Sequence, residues 1–349
     1  MTPRSILIIR PSAMGDIVMA SPMLAVLRRA YPEAKLVWLV EPPHADLLRH
    51  HPDLDGLILW PKGRWRKLLR GGQWLTLLRE LLGLRRELRS ARFDLALDAV
   101  GLLKSRALAR FSGAKERIGF ASKEPGRFWM HRLIPRRVGD VRMSSEYAEL
   151  MQALGFDPGP FPPRLSVGEK EAAAADQLLT QRGISGRYIV FAPCTTRPQK
   201  HWFNSCWSEL AHLLASRYNL PILLLGGPGD VATCAAIAGD APKQVHDLAG
   251  KSSLGETMAL VRGASLLVGV DTGLTHMGSA FSLPTVALFG STRPYLETAN
   301  PQTRVLYDAM DCSPCRRRPI CDGAFTCMRQ LTPERVLEAA GELLPQEAP

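Results

Sequence analysis

Short apolar strands alternate with amphipathic helices along the chain, and this pattern occurs twice. In the first half, strand-like segments such as 6–9 and 36–40 are each followed by a helical segment. A cluster rich in proline and glycine at 156–163 breaks the pattern, which then restarts with helix 169–182 and strand 188–192. Because such alternation is typical of parallel sheets covered by helices on both faces, the sequence predicts an α/β protein with two facing Rossmann-like domains.

We expect the domains to span 1–163 and 164–349, since 349 residues exceed the usual size of one hydrophobic core. Ligands of such folds bind at the carboxyl ends of the strands, so a ligand cleft is expected between the two domains. The residues that directly follow a strand are therefore the first candidates for a functional site.

Composition argues against a membrane-spanning or secreted protein. Hydrophobic residues make up 46% of the chain and charged residues 22%, which are globular values. No apolar run approaches the roughly 18 residues that a transmembrane helix needs, and the N-terminal segment lacks the features of a secretory signal. We therefore expect a cytoplasmic protein whose seven cysteines are buried thiols or metal ligands rather than a disulfide framework.

The net charge of +11 is concentrated in the first half. Residues 1–165 contain 28 Lys and Arg against 16 Asp and Glu, whereas residues 166–349 contain 16 against 17. This asymmetry indicates an anionic partner for the first half, which on charge alone could be nucleic acid, a phosphorylated lipid or a membrane surface. No nucleic-acid-binding motif accompanies the charge, so nucleic acid is not the expected partner.

Asp16 is the first candidate for a catalytic residue, because it lies in the turn that follows strand 6–9. Gly15 and Asp16 open a helix there, and an aspartate in that position is often only a helix cap. The carboxyl end of the first strand is also where α/β folds place functional groups, and a carboxylate there can act as a general base. Both interpretations are open from the spacing alone.

A polar loop after strand 188–192 suits a diphosphate. The hydroxyls of Thr195 and Thr196 can donate hydrogen bonds, and Lys200 supplies a compact positive charge four residues later. The alternative is an ordinary polar loop with a solvated lysine.

A second loop, after strand 266–270, supports the diphosphate interpretation. Asp271, Thr272 and Gly273 lead directly into a helix, whose free N–H groups and positive dipole form an anion site. His276 is a further candidate for substrate binding, although by itself it is equally well explained as a helix histidine. Together the two loops predict a cradle for a nucleotide diphosphate.

A third loop offers a rival function. Gly227, Gly229 and Ala232 form a variant of the dinucleotide fingerprint after a strand, which favours an NAD-dependent oxidoreductase. The variant lies deep in the second half, and no candidate hydride-transfer residues surround it. We prefer a turn beside the nucleoside, with Asp230 near the ribose.

Taken together, these motifs resemble those of the ADP-heptose:lipopolysaccharide heptosyltransferases, glycosyltransferase family 9, which have the GT-B fold. The resemblance covers most of the chain, and Arg64-Trp-Arg-Lys67 is most similar to heptosyltransferase I. Several distinct motifs in the right order make the match specific. They are Ser12-Ala-Met-Gly-Asp16, Asp98-Ala-Val-Gly-Leu-Leu-Lys-Ser105, Thr195-Thr-Arg-Pro-Gln-Lys-His-Trp202 and Asp271-Thr-Gly-Leu-Thr-His276.

The resemblance implies transfer of heptose from ADP-L-glycero-β-D-manno-heptose to a Kdo sugar on lipid A, with inversion at the anomeric carbon. Asp16 matches the family's proposed base. Asp271 and Lys200 would place the sugar and offset charge on the departing ADP, so no catalytic metal is expected. The positions that match phosphate-binding residues are Thr195, Thr196, Lys200, Thr272 and Gly273.

A cysteine-rich segment at 312–327 departs from the type I enzyme. It resembles the ends of heptosyltransferase II and of protein heptosyltransferases, which are therefore alternative functions with other acceptors. The spacing C-x2-C-x5-C-x5-C in a polar segment predicts one structural zinc or iron site. Its ligands would be Cys312, Cys315, Cys321 and Cys327.

Segment 62–92 contains ten Lys and Arg against two Glu, with leucine and tryptophan interleaved. This composition predicts docking on the cytoplasmic face of the inner membrane or on its anionic glycolipid. We expect the leucines of 77–88 to pack on the sheet, as in an ordinary surface helix. By resemblance, a turn in this segment and a second loop face the acceptor, through Arg64, Arg66, Lys67, Lys123 and Arg127.

Overall fold

The computed structural model describes residues 2–136, 141–298, 300–315 and 318–344. These residues form two compact units, the first from 2–136 with 144–166 and the second from 141–143 with the described residues after 166. Each unit contains one six-stranded sheet. The predicted α/β class with two Rossmann-like units is confirmed.

The first unit has all its neighbouring strands parallel. Its strands are β1 (Ser5–Ile9), β2 (Lys35–Val40), β3 (Gly56–Leu59), β4 (Leu95–Asp98), β5 (Glu116–Phe120) and β6 (Arg132–Ile134). They lie in the order β3-β2-β1-β4-β5-β6. The helices are α1 (Met14–Ala20), α2 (Pro22–Ala30), α3 (Asp46–Arg49), α4 (Lys62–Arg70), α5 (Trp74–Ser90), α6 (Leu103–Ser112) and α7 (Ser145–Ala153).

The second unit repeats this architecture, again with parallel neighbours. Its strands are β7 (Ile189–Ala192), β8 (Ile222–Leu224), β9 (Val245–Asp247), β10 (Leu266–Val270), β11 (Thr285–Phe289) and β12 (Thr303–Tyr307), in the order β12-β11-β10-β7-β8-β9. The helices are α8 (Glu169–Thr180), α9 (Asn204–Tyr218), α10 (Val231–Gly239), α11 (Leu254–Arg262), α12 (Gly273–Ala280), α13 (Thr326–Arg329) and α14 (Pro333–Leu343).

The central strands are almost entirely apolar, as expected for strands of a parallel sheet with helices on both faces. Every residue of β1 is buried, and so is every residue of β10. In the second unit the core includes a cluster in which the rings of Phe191 and Trp202 each lie 5.0 Å from that of Trp207. The indole N–H of Trp202 donates to the carbonyl of Leu331 at 2.8 Å, which fastens the C-terminal helices to this core.

Gly269, in β10, must be glycine because the helix that follows the strand packs very closely on it. A Cβ at this position would collide with the hydroxyl of Thr275 and lie 3.0 Å from the Cβ of Ala192. The Thr275 hydroxyl donates to the carbonyl of Val270 at 2.6 Å. This contact holds the start of α12 against the carboxyl end of β10, where Asp271 lies.

The structure corrects two expectations about segment 62–92. Arg64-Trp-Arg-Lys67 is not a turn, since all four residues lie within α4. The leucines of α5 do not all pack on the sheet. Leu84 and Leu88 are buried, but Leu78 and Leu82 are turned away from them by about 120° around the helix axis and are exposed. None of the helices in the described segments is long and apolar enough to cross a membrane.

Candidate functional site

In the first unit, the site is built around Asp16 at the carboxyl end of β1. Its Oδ2 accepts a hydrogen bond from the backbone N–H of Ala13 at 3.2 Å, so the carboxylate does cap α1. The same oxygen lies 2.5 Å from Nη2 of Arg10, and 36% of the side chain is exposed. Capping therefore leaves the carboxylate accessible, and the capping and general-base interpretations are compatible.

Arg10 is a site residue that the sequence interpretation missed. Its guanidinium is buried, donates from Nη1 to the carbonyl of Ala99 at 3.2 Å, and lies 5.8 Å from the ring centroid of Tyr147. These contacts and the ion pair leave the guanidinium little freedom, so Arg10 orients Asp16. The sequence could have identified Arg10 by its position directly after β1, which is the criterion that identified Asp16.

A second ion pair, between Glu41 and Lys62, links the residue after β2 to the start of α4. Glu41, directly after β2, accepts hydrogen bonds from the Ser12 hydroxyl at 2.8 Å and from Nζ of Lys62 at 2.7 Å. The ammonium of Lys62 also lies 5.4 Å from the ring centroid of Trp60. Glu41 therefore fixes the start of α4 relative to the loop that precedes Asp16.

The five predicted acceptor-binding cations lie on two segments of the first unit. Arg64, Arg66 and Lys67 are on α4, after β3, and Lys123 and Arg127 follow β5. In the strand order β3 and β5 stand two strands away from β1 on opposite sides, and all the strands are parallel. The cations therefore follow strands on both sides of β1, each two positions away from it. Arg64 is partly committed within the unit, because its Nε lies 2.6 Å from a carboxylate oxygen of Glu80.

In the second unit, the site is built around Asp271 after β10. Its Oδ2 lies 2.6 Å from Nζ of Lys200 and accepts a hydrogen bond from the Thr292 hydroxyl at 2.6 Å. Its Oδ1 lies 3.3 Å from Nε2 of His276, and only 13% of the side chain is exposed. Burial acts to raise the pKa of Asp271, but His276 and Lys200 outweigh it and hold that pKa well below its usual range.

His276 is a buried histidine with two partners. Its Nε2 lies 2.8 Å from the hydroxyl of Tyr295, and the two ring centroids are 5.3 Å apart. Together with the contact to Asp271, this arrangement agrees with the interpretation of a satisfied helix histidine. Thr292 and Tyr295 were missed from the sequence, although both come shortly after β11, at the same edge of the sheet.

The predicted phosphate-binding residues lie in two loops that follow adjacent strands. Thr195, Thr196 and Lys200 follow β7, and β7 pairs with β10, after which Thr272 and Gly273 begin α12. The side chain of Thr272 makes no capping hydrogen bond to the first turn, so the N–H groups of that turn have no side-chain acceptor from the cap residue. Two loops with donor groups therefore adjoin at one sheet edge.

Asp230 lies in the loop after β8, where Oδ2 accepts a hydrogen bond from the N–H of Gly227 at 2.8 Å. Residues 228–230 form a short 3-10 turn before α10. Beside it, the sulfurs of Cys194 and Cys234 lie 3.8 Å apart. The contact with Cys234, together with burial, raises the pKa of the Cys194 thiol, so this thiol is unreactive.

The four cysteines of the C-terminal segment line one pocket, together with Gln199 and Ser291. Burial, reinforced by the neighbouring thiols, raises the pKa of Cys315 and of Cys327. Within the described residues, no three His, Cys, Asp or Glu side chains are grouped as a ready metal-ligand set. The pocket brings the thiols into one region but does not arrange them around a single point. Arg316 and Arg317, between Cys315 and Cys321, lie outside the described residues.

Comparisons with known proteins agree with this architecture. The profile of glycosyltransferase family 9 (heptosyltransferase) matches residues 81–322. Lipopolysaccharide heptosyltransferase 1 of Pseudomonas aeruginosa is 30% identical over 339 residues, covering 94% of this chain and 89% of that protein. Lipopolysaccharide heptosyltransferase 2 of Escherichia coli is 27% identical, with coverage of 98% and 99%. A solved E. coli heptosyltransferase with ADP-2-deoxy-2-fluoro heptose has a TM-score of 0.74 at 26% identity, covering 97% of this chain and 99% of that one.

The hydrogen bond from Thr292 to Asp271 is testable by stability. Thr292→Val removes the hydroxyl and keeps the shape, so the free energy of unfolding should fall by about 1–2 kcal/mol in a urea titration, because a buried carboxylate loses a donor. Thr180→Val, at the exposed end of α8, is the matched control and should change it by less than about 0.5 kcal/mol. Equal effects of the two changes would contradict this role of Thr292.

Proposed function

Since the chain belongs to glycosyltransferase family 9, the heptosyltransferase family, we propose that it transfers heptose from ADP-L-glycero-β-D-manno-heptose to Kdo of the lipopolysaccharide inner core, on a lipid A-Kdo acceptor. It is a glycosyltransferase of the type that builds the lipopolysaccharide core. This assignment excludes the alternative of an NAD-dependent oxidoreductase. The 30% identity to a type 1 enzyme and the Arg64-Trp-Arg-Lys67 motif favour Kdo as the acceptor. A second heptose position or a protein hydroxyl is the alternative, favoured by the cysteine-rich segment.

The observation that carries the proposal is the ion pair of Lys200 with Asp271 beside the start of α12. Lys200 and the N–H groups of the first turn of α12 bind the diphosphate of the donor, and Thr195, Thr196 and Thr272 add hydroxyl donors. Asp271 holds the ammonium in place and accepts a hydrogen bond from the sugar. His276 supports Asp271, and Asp230 lies near the ribose.

These fixed positive groups take the place of a catalytic metal. As the bond between the anomeric carbon and the diphosphate breaks, ADP leaves with the bonding electrons and gains negative charge. Asp271 holds Lys200 in place before the reaction, so Lys200 and the start of α12 would stabilise that charge with little reorganisation. The second unit, within 164–349, is therefore the donor-binding domain.

The first unit, within 1–163, is the acceptor-binding domain. Asp16 takes the proton of the acceptor hydroxyl while the hydroxyl oxygen forms the new bond to the anomeric carbon from the face opposite the diphosphate, which inverts that carbon. Arg10 orients the carboxylate of Asp16. Phosphates and carboxylates of the acceptor bind Arg66 and Lys67, with Arg64, Lys123 and Arg127 beside them.

The acceptor also indicates where the protein works. A Kdo-lipid A acceptor is anchored in the inner membrane, so we place the enzyme in the cytoplasm, bound peripherally to the cytoplasmic face of that membrane. The excess of basic residues in the first unit suits this surface, and nucleic acid is not a partner.

Transfer and the role of Asp16 are tested together. The purified protein should release ADP from ADP-heptose and add one heptose to lipid A-Kdo, read by mass spectrometry, in preference to an already heptosylated core or a protein acceptor. Asp16→Asn keeps the cap geometry but removes the base, so turnover should fall roughly 100-fold or more while donor binding is kept. Normal turnover by this variant would exclude Asp16 as the base.

The acceptor cations give a second prediction. Arg66→Ala with Lys67→Ala should raise KM for the acceptor about ten-fold or more, and less so at high salt, because each cation near an anionic ligand contributes about 1 kcal/mol. Donor affinity should stay unchanged. The control is Lys170→Ala with Lys243→Ala, which removes two exposed cations of the second unit. An equal loss of donor and acceptor binding would contradict the assignment of the two domains.

The cysteine-rich segment is proposed to hold one structural zinc or iron through Cys312, Cys315, Cys321 and Cys327. The four thiols line one pocket, and the segment around them is polar, so it has little apolar material to order itself. Because they are not grouped as a ligand set here, binding requires them to move closer together.

Elemental analysis of the purified protein should therefore find close to one zinc or iron per chain. Cys312→Ser with Cys315→Ser should remove that metal and lower the thermal stability. The matched control, Cys206→Ser, changes a thiol of α9 outside the pocket and should leave the metal content unchanged. A wild-type protein without metal would exclude the site.

A further inference from the structure

We infer that the outer face of α5 is a docking surface for an anionic lipid bilayer. The inference extends the proposed function, which requires a lipid-linked acceptor, and it names a surface other than the acceptor cations of α4. It rests on how α5 distributes its apolar, basic and acidic side chains around the helix.

The apolar side chains of α5 cover two neighbouring faces of the helix, one buried and one exposed. Leu84 and Leu88 are buried and attach the helix to the first unit. Trp74, Leu78 and Leu82 follow each other at intervals of four residues, so they form one stripe that is turned about 100° around the helix axis from Leu84 and Leu88. Leu75 lies beside this stripe. All four are exposed.

The basic residues share this outer side. At about 100° per residue, the stripe and the arginines fall within an arc of about 140° around the helix axis. The arginines are Arg79, Arg85, Arg86 and Arg89, and each is exposed. Glu80 and Glu87 point away from that arc, and the Glu80 carboxylate is bonded to Arg64 and Trp65 of α4. The outer face therefore combines apolar and positive side chains without an acidic one.

An anionic bilayer matches this combination. A helix that lies in the interface of a bilayer inserts its apolar side chains between the headgroups, while arginines bind the lipid phosphates and tryptophan lies at headgroup level. The exposed apolar residues are also concentrated here, because five of the large ones among the described residues lie within 69–82. They are Leu69, Trp74, Leu75, Leu78 and Leu82.

A second copy of the chain does not match the same face. A two-fold contact would bring the face against itself and place the four arginines of one copy opposite those of the other. Like charges across an interface oppose association, and no acid on the outer arc of α5 compensates them. Charge complementarity thus selects an anionic surface.

Docking through α5 would place the acceptor cations beside the lipid. Gly71 and Gly72 alone separate the end of α4 from Gln73 and the start of α5. Arg66 and Lys67 therefore precede Trp74 by only eight and seven residues along the chain. The docking face and the acceptor cations are neighbouring but separate sets of residues, so each can be changed without the other.

The test is co-sedimentation of the full-length protein with vesicles of phosphatidylglycerol and phosphatidylethanolamine, compared with vesicles of phosphatidylcholine. Leu75→Ser with Leu78→Ser should lower the partition coefficient on the anionic vesicles at least ten-fold. The control is Ile320→Ser with Leu296→Ser in the second unit. The exposures match closely, at 83% and 53% for the first pair and 75% and 54% for the control. The control should bind as the wild type does.

Three results would overturn the inference. They are equal binding of the wild type to both kinds of vesicle, an equal loss in the control, and a dimer in solution that Leu75→Ser with Leu78→Ser dissociates. Thermal unfolding of each variant verifies that it is folded. Heptose transfer to a detergent-dispersed acceptor separates this inference from the proposed function. The Leu75→Ser, Leu78→Ser variant should keep this transfer activity. If the wild type shows no transfer, the proposed function is wrong, but the vesicle result still tests the docking surface.

Discussion

The nearly buried carboxylate of Asp271 is the interaction on which the second unit's site depends. Removing a carboxylate from water costs on the order of several kcal/mol unless partners compensate it. Lys200, His276 and Thr292 provide that compensation, and they follow three different strands, β7, β10 and β11. They can meet only because these strands are adjacent and parallel, so their carboxyl ends lie at one edge. The compensation of the Asp271 charge therefore depends on the order of the strands in the sheet.

Asp16 and Asp271 each follow one of the two central strands of their sheet, β1 in the first unit and β10 in the second, yet their surroundings suit them to different tasks. Asp271 is 13% exposed and its pKa is held low, so it is a poor proton acceptor and a good anchor for Lys200. Asp16 is 36% exposed and has one cation beside it, which leaves part of the carboxylate free for a ligand. The same topology therefore provides an orienting carboxylate in one unit and an accessible one in the other.

The sequence predicts the central strands well because they are buried on both faces and read as continuous apolar runs. It misses β5, β6, β9 and β12, whose sequences include charged residues; three of these four are edge strands. In the site, Asp16, Lys200 and Asp271 were recognisable from their position after a strand. Their supporting residues were harder to recognise, because Thr292 lies 21 residues from Asp271 and pairs with it only through the sheet. The outward leucines of α5 were misjudged because helical spacing alone does not say which side faces the sheet.

The cysteine-rich segment contacts the residues after β11, one of which hydrogen-bonds to the carboxylate of Asp271. The hydroxyl of Ser313 donates to the carbonyl of Gly290, and a Cβ on Gly290 would lie 2.8 Å from the sulfur of Cys327. Gly290 is two residues before Thr292, so the segment packs against the stretch that presents the Thr292 hydroxyl to Asp271. The end of this segment is anchored, because Cys327 and Met328 are buried in the hydrophobic core of the second unit and Phe325 packs against that core. The contacts of Ser313 and Cys327 with Gly290 therefore support the position of Thr292, and through its hydrogen bond they connect the end of the chain to the buried charge of Asp271.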